Sequence, residues 1–226
     1  VWRKADNWTA FTDGYKTWVN GPNGVQERLN DQKFDWEASQ PKPQPLITCA
    51  NPNVVRGADI SENTIWINGE VSNEGDAPAF DIEVTVKLLD ASGAVVRTDN
   101  TYIDFLGPGD VMAYQITIKN PGSYANVEIT GTGKDASSRK FEKLDAGRGT
   151  LGKINDEYGG DIFNYSGSVV NPTDTQLKYC KAIVWFLDAQ NKIVWVDTAF
   201  ANPEDLAPQA SGSVEKRTFA QRFVPD

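Results

Sequence analysis

The chain has 226 residues, and its 39% hydrophobic and 11% aromatic content is enough for packed cores, which excludes global disorder. Its net charge is −9 and it has no cluster of Lys and Arg, which argues against nucleic acid as a partner. It contains no histidine, which excludes His-dependent triads, histidine general bases and His-ligated zinc.

The first 45 residues differ from the rest in the spacing of their aromatic residues. Steps of three, four and three separate Trp8, Phe11, Tyr15 and Trp18. That spacing places them on one face of a helix, so the pattern predicts a short helical segment, with a stiff proline-rich linker at Gln40–Pro45. We expect these aromatic side chains to pack against the chain's own domains. A contact with a partner or a membrane surface is the alternative.

From Leu46 to about Gly133 apolar and polar residues alternate with a period of two. Six or seven short strands separated by Gly, Pro and Asn turns predict a β-sandwich at 46–133. In one of these strands the residues expected to face inwards are Ile82, Val84, Val86 and Leu88. Those expected to face outwards are Glu83, Thr85 and Lys87.

A constant separation of 98 residues links two parts of the chain. It relates the residues Gly69, Val71, Asn73 and Asp90 to Gly167, Val169, Asn171 and Asp188. A shared spacing without gaps indicates a duplicated domain. In each copy an apolar run, a turn after the Asp and a second apolar run predict a β-hairpin. We therefore predict a second β-sandwich at 161–226, after a connecting region at 134–160.

The connecting region holds a formal GxGxxG motif, Gly147–Gly152, and one predicted strand at Arg139–Leu144. A dinucleotide site needs a helix after the motif, and Lys153–Asp156 is poor helix material, so we interpret it as a loop. Acidic residues at Asp156, Glu157 and Asp161 are candidate calcium ligands, but a solvated turn is the favoured interpretation. We expect no metal and no cofactor.

The two cysteines, Cys49 and Cys180, belong to no CxxC pair. We expect unlinked thiols, with Cys180 in a core, rather than a disulfide. Two Asn-x-Ser/Thr sequons occur at Asn7 and Asn164, and we expect Asn164 to face outwards as a candidate glycosylation site.

The strongest candidate interface lies in the second copy. Where the first copy has polar outward residues, the second has Ile183 and Trp185, followed by Leu187, with Val194 or Trp195 on the neighbouring strand. A strand that is apolar on both faces is normally covered on both. We therefore expect burial of this patch by the N-terminal segment, the first domain or another protein.

The second copy has only Val224, Pro225 and Asp226 after the counterpart of the first copy's Ala113–Ile118 strand. Its closing strand is therefore predicted to be absent, which leaves an open sheet edge. We expect a segment of this chain or of a neighbouring molecule to fill that edge. A smaller sandwich with a short, charged edge is the alternative.

The repeated motif resembles the FxLYD domain family. In the first copy Val86–Asp90 follows a G-x-V-x-N segment, and in the second Val184–Asp188 does so. Leu106–Gly109 resembles the family's L-x-P-G turn, whereas Leu206–Gln209 lacks the final Gly. The resemblance implies tandem immunoglobulin-like sandwiches in prokaryotic secreted, lipid-anchored or membrane-tethered proteins. It implies no activity and no catalytic residues.

The expected fold is therefore mainly β: two tandem immunoglobulin-like β-sandwiches after a short helical segment. The expected function is a non-enzymatic, extracytoplasmic structural or interaction module that works with a protein partner or by self-assembly. Because the sequence begins with Val1, removal of a signal or anchor is consistent with this location. The alternative is a carbohydrate-binding or other ligand-binding module that uses exposed tryptophans.

Overall fold

The computed structural model describes residues 3–5, 8–12, 16–21, 24–29, 43–57, 63–138, 141–146, 149–155 and 161–219. Most of these residues lie in β-strands, and none of them is helical. The chain divides into two compact units, Val1–Pro43 and Gln44–Asp226. The mainly β class expected from the sequence is confirmed.

The first unit contains strands where the aromatic spacing predicts a helix. Its described residues form one antiparallel sheet in the order β1 (Arg3–Ala5), β2 (Trp8–Thr12), β3 (Lys16–Gly21) and β4 (Gly24–Leu29). Phe11 and Trp18 are Cα partners across β2 and β3, so their spacing fits a hairpin. Asp13-Gly14 and Asn23-Gly24 are typical hairpin-turn pairs, and they outweigh the apparent helical period.

In the second unit, the first repeat comprises the described residues between 44 and 138. Its strands are β5 (Ile47–Arg56), β6 (Thr64–Asn73), β7 (Ala79–Leu89), β8 (Val95–Leu106), β9 (Val111–Lys119) and β10 (Asn126–Asp135). They form two antiparallel sheets, in the orders β5-β6-β9 and β10-β7-β8. Both sheets contribute to one core, in which the predicted inward residues Ile82, Val84, Val86 and Leu88 are fully buried.

The second repeat comprises the described residues between 141 and 219. Its strands are β11 (Asp145–Ala146), β12 (Thr150–Asn155), β13 (Asp161–Val170), β14 (Lys181–Leu187), β15 (Ile193–Asn202) and β16 (Ser211–Phe219). They follow the order β11-β13-β16-β15-β14, with β12 also paired to β13. Val169, Val184, Phe186 and Val214 lie in the core of this repeat.

The sheet of the second repeat begins before the predicted domain boundary at residue 161. Both β11 and β12 pair with β13, so the residues assigned from sequence to a connecting region belong partly to this sheet. The strand predicted at 139–144 is absent at 141–144, the described part of that range. The last three residues of the GxGxxG motif begin β12, so this part of the motif is a strand rather than the predicted loop, and no helix follows it at 153–155.

The offset of 98 residues also holds in the hairpin register. Lys87 pairs with Thr98 in β7–β8, and Trp185 pairs with Val196 at the same place in β14–β15. Each pairing has a register shift near its turn, after Leu88 and after Phe186. Residues of the two hairpins can therefore be compared one to one.

The repeated asparagine has the same structural role in both repeats. Asn73 is fully buried, donates to the carbonyls of Ala77 and Leu106, and accepts from the N–H groups of Leu46 and Gly75. Asn171 is also fully buried and likewise donates to backbone carbonyls, at Thr175, Leu206 and Ala207. Each amide therefore holds the turn that follows its strand against the Leu-x-Pro turn.

Candidate interaction surface

The β14–β15 hairpin is closed by a turn in which Asp188 caps the backbone. Its Oδ1 accepts the N–H groups of Gln190 at 2.9 Å and Lys192 at 2.8 Å, and Asn191 takes a φ of 60°. Asp90 makes the matching bonds in β7–β8, and hydrogen bonds from the Ser92 hydroxyl and nearby N–H groups lower the pKa of its carboxyl. The sequence thus fixes the position of this hairpin locally.

The side chains of β14 alternate between the core and the opposite face. Val184 and Phe186 are buried, whereas Trp185 is 42% exposed and Leu187 is 47% exposed. On β15, Phe200 is 56% exposed and shares this opposite face, because it pairs with Lys181. We call this surface the outer face of β14–β15; its apolar residues are Ile183, Trp185, Leu187, Val196 and Phe200.

The corresponding face of the first repeat is polar. At the positions equivalent to 181, 183, 185, 196, 198 and 200 it has Glu83, Thr85, Lys87, Thr98, Asn100 and Tyr102. These side chains bond to one another and to β10: the Asn100 amide donates to Glu83 at 2.5 Å, and Lys87 lies 3.4 Å from Glu128. Only the counterpart of Leu187, the half-buried Leu89, is apolar in both repeats. The same backbone arrangement thus supports a solvated face in one repeat and an apolar face in the other.

The exposure of Trp185 and Leu187 corrects one expectation from the sequence. The prediction that the first domain buries these two side chains is wrong, because both are open to solvent although the first domain belongs to the same unit. Ile183 is half-buried. Coverage by the N-terminal segment or by another protein stays a prediction.

The outer edge of β14 differs from that of β7 in its pairing. In the first repeat β7 lies between β8 and β10. In the part of the chain that the structure describes, β14 pairs with β15 alone. The predicted absence of a closing strand stays a prediction, because residues 220–226 lie outside the described residues.

Trp195 lies at a different interface, inside the second unit. It is 5% exposed and meets Trp66 of β6 edge to face, with ring centroids 5.4 Å apart and planes at 67°. Beside them the Asn53 and Asn68 amides donate to the carbonyls of Ile193 and Val194, at 2.9 and 3.1 Å. This inter-repeat joint holds β15 on the β5-β6-β9 sheet, so the outer face of β14–β15 is the opposite one.

The remaining candidate residues are dispersed. Trp8 and Phe11 lie in β2 and Trp18 in β3, and Tyr15 and Asn7 lie outside the described residues. Asn164 is half-buried in the middle of β13, between Gly152 of β12 and Arg217 of β16. A strand flanked on both sides is a poor acceptor for a glycosyltransferase, so the expected accessibility of Asn164 is not found.

Both cysteines are free thiols in the structure. Cys180 is buried and Cys49 is half-buried, and burial raises the pKa of each thiol. A raised pKa disfavours the thiolate, which is the nucleophile and metal ligand. Neither side chain therefore has the environment of a reactive cysteine.

Of the calcium candidates, Asp161 begins β13 while Asp156 and Glu157 are outside the described residues. Within the described ranges there is no group of three or more acidic or Cys side chains placed to hold a metal ion. The same ranges contain no helix of the length and apolarity that a membrane span requires.

The outer face of β14–β15 is therefore the most distinctive surface that the described residues present. Comparison of the chain with protein-family models, with characterised proteins and with solved structures finds no match.

Proposed function

We propose that this protein is a non-enzymatic structural or interaction module whose second repeat binds a protein through the outer face of β14–β15. The single observation that carries the proposal is the difference between the repeats at matched positions. Thr85, Lys87 and Thr98 of the first repeat correspond to Ile183, Trp185 and Val196 of the second. Because the same backbone carries polar residues in one repeat and apolar residues in the other, the fold itself does not require the apolar surface.

Exposed apolar surface is unfavourable in water, at about 25 cal/mol for each Å² that a partner would bury. Contiguous exposed patches of this kind commonly mark protein–protein contacts. Trp is also enriched among the residues that dominate binding energy, especially where it can be fully desolvated. Trp185, with Leu187 beside it, meets this description.

We further propose that the repeats are immunoglobulin-like sandwiches of the FxLYD type and that the protein is extracytoplasmic, a subunit of a cell-surface assembly. The resemblance of the hairpin and Leu-x-Pro motifs supports this assignment. The buried Asn73 and Asn171 link those motifs within each repeat. The absence of histidine from the sequence supports a non-enzymatic role.

Hydroxyl-radical footprinting tests the proposal even though the partner is unidentified. The cells that make the protein and the dilute purified chain are oxidised in parallel. We expect Trp185 and Phe200 to be several-fold less reactive in the native setting. Tyr102, the first-repeat counterpart of Phe200, is 64% exposed and serves as the control in the same chain. Equal reactivity of Trp185 and Phe200 in both samples would refute the proposal.

The second candidate function is carbohydrate binding, favoured by the exposed aromatic residues Tyr179, Trp185 and Phe200. Sugar platforms use aromatic faces with polar groups at their rims, and Lys181 lies opposite Phe200 in the pairing of β14 with β15. Against carbohydrate binding, Trp66 and Trp195 pack against each other in the inter-repeat joint rather than at the surface. Glycan-array binding that is lost in Trp185→Ala would favour this alternative.

A further inference from the structure

β14 combines an apolar outer face with a side that no described strand pairs with. β15 occupies one side of Lys181–Leu187, and in the described part of the chain no strand occupies the other. Alternate residues of an antiparallel strand direct their N–H and C=O groups to each side. Such an edge is a template for another strand. In the first repeat β10 completes the matching edge of β7.

After its first residue, Lys181, the sequence of β14 contains none of the devices that usually protect an open edge. Such devices are charged side chains, proline and local irregularities that prevent pairing. Between Ala182 and Leu187 there is no charged residue, no proline and no glycine. The single register shift in its pairing with β15 lies at the end of the strand, after Phe186. Most of the strand is therefore regular and ready to pair.

We propose that a second copy of this chain fills the edge, with the two β14 strands pairing antiparallel about a two-fold axis. This inference rests on the proposed interaction function and names the partner at the same surface. The result is a continuous sheet, β15-β14-β14-β15, shared by two molecules. A two-fold interface of this kind is closed and limits assembly through this edge to a dimer.

The residue pattern selects the register of this pairing. Residues that lie opposite each other in antiparallel strands share a face, so outward residues must oppose outward residues. With Trp185 on the axis, Ile183 lies opposite Leu187 of the second copy, and Val184 lies opposite Phe186. Each residue from 183 to 187 thus meets an apolar residue.

Charge permits a second copy at β14 and disfavours it at β7. Within one chain Lys181 is already paired with Asp104, and Asp188 caps the N–H groups of its own turn. With Trp185 on the axis these two residues lie opposite Ala189 and Ala182, so no like charges meet. The residue of β7 equivalent to Trp185 is Lys87, which in this chain faces Glu128 of β10 at 3.4 Å. On a two-fold axis it would oppose another Lys87, and like charges directly opposite are destabilising. The substitution of Lys by Trp between repeats therefore permits self-pairing.

Light scattering after size exclusion tests the proposal on the full purified chain. Over about a hundredfold range of concentration, we expect the mass to rise from the 24.9 kDa of one chain towards twice that value. Hydrogen exchange measured on the same samples should show β14 amides becoming protected as the dimer forms. A dimer with unprotected β14 amides, or a monomer throughout, would overturn the inference.

The sharpest variant gives β14 the residues that β7 carries at the same positions, Ile183→Thr with Trp185→Lys. Because β7 accommodates both, we expect the fold to be retained and self-association to weaken by at least about tenfold. Val96→Lys is the matched control: Val96 is 47% exposed on β8, away from this edge, and its change should leave the association unaltered. Unchanged association in the double variant would contradict the inference.

The two proposals fail in different ways. If the purified chain is monomeric but Trp185 is protected in the native setting, the proposal of self-pairing is refuted and the proposed interaction function is retained. If Trp185 is not protected and the chain does not self-associate, both proposals are refuted.

Discussion

At the residue scale, the buried amides of Asn73 and Asn171 contribute more to the stability of the fold than most polar groups do. Each satisfies several backbone groups that lie outside the sheet pairing. A buried polar group that loses its partner carries a full desolvation penalty, typically about 1–3 kcal/mol. These residues therefore connect sequence to fold through hydrogen bonds rather than through apolar packing.

We expect Asn73→Ala to lower the free energy of unfolding by about 2–4 kcal/mol, because two carbonyls and two N–H groups lose their partner. Urea denaturation measures the change. Asn100→Ala is the control: the Asn100 amide bonds only to exposed side chains, and its loss should cost less than about 0.5 kcal/mol. Similar losses in both variants would contradict the assigned role of Asn73.

At the element scale, Gly69 lets β5, β6 and β9 approach closely. A Cβ at this position would lie 2.5 Å from Oη and 2.7 Å from Cζ of Tyr114, and 2.9 Å from the Ala50 carbonyl oxygen. The Tyr114 hydroxyl is buried with no hydrogen-bond partner among the described residues, and burial raises its pKa far above the usual range. The repeated glycine of G-x-V-x-N is therefore required by packing, not by backbone conformation.

Gly69→Ala should lower the unfolding free energy by about 1–3 kcal/mol through overpacking. Tyr114→Phe alone should be neutral or stabilising by up to about 1 kcal/mol, since it removes a buried, unbonded hydroxyl. In the Tyr114→Phe background the Gly69→Ala change should cost less, though not zero, because Cζ and the Ala50 carbonyl remain close. Equal costs in the two backgrounds, measured by chemical denaturation, would show that Oη is not the obstacle.

Local patterns explain which elements are predictable from the sequence. The inward residues of β7 and the hairpin after Asp90 follow from two-residue alternation and turn chemistry, which act over a few residues. The N-terminal strands escape prediction because Phe11 and Trp18 satisfy a helical spacing and a cross-strand pairing equally well. Here the turn signals of Asp13-Gly14 and Asn23-Gly24 are the better guide to the assignment.

At the scale of the whole second unit, the joint between repeats is beyond sequence reasoning. Trp66 faces away from its own core and packs with Trp195, 129 residues later in the chain. Trp66 alternates along β6 with the core residues Ile65 and Ile67, but only the packing of the repeats decides that its face is buried as well. The exposure of Trp185 departs from expectation for the same reason: an apolar pattern marks a face suited to burial without specifying the surface that covers it.

We expect Trp66→Ala to cost about 3–5 kcal/mol and to separate the unfolding of the two repeats. Trp66 belongs to β6 by sequence but to the core of the second repeat by contact, so its loss weakens that repeat most. Differential scanning calorimetry should then show two transitions for Gln44–Asp226, the earlier one from the second repeat. Trp185→Ala, on the opposite face of the hairpin, should leave the number of transitions unchanged. A single transition in Trp66→Ala would contradict this coupling.

The hydrogen bonds of the inter-repeat joint use main-chain carbonyls of β15 as acceptors. Asn53 and Asn68 donate to the carbonyls of Ile193 and Val194, and these acceptors exist whatever side chains β15 carries. Mutational drift at those two positions therefore leaves the hydrogen bonds available. For protein engineering, the hairpin can be treated as a cassette: its outer face is open to redesign for new binding targets, provided that Trp195 is kept.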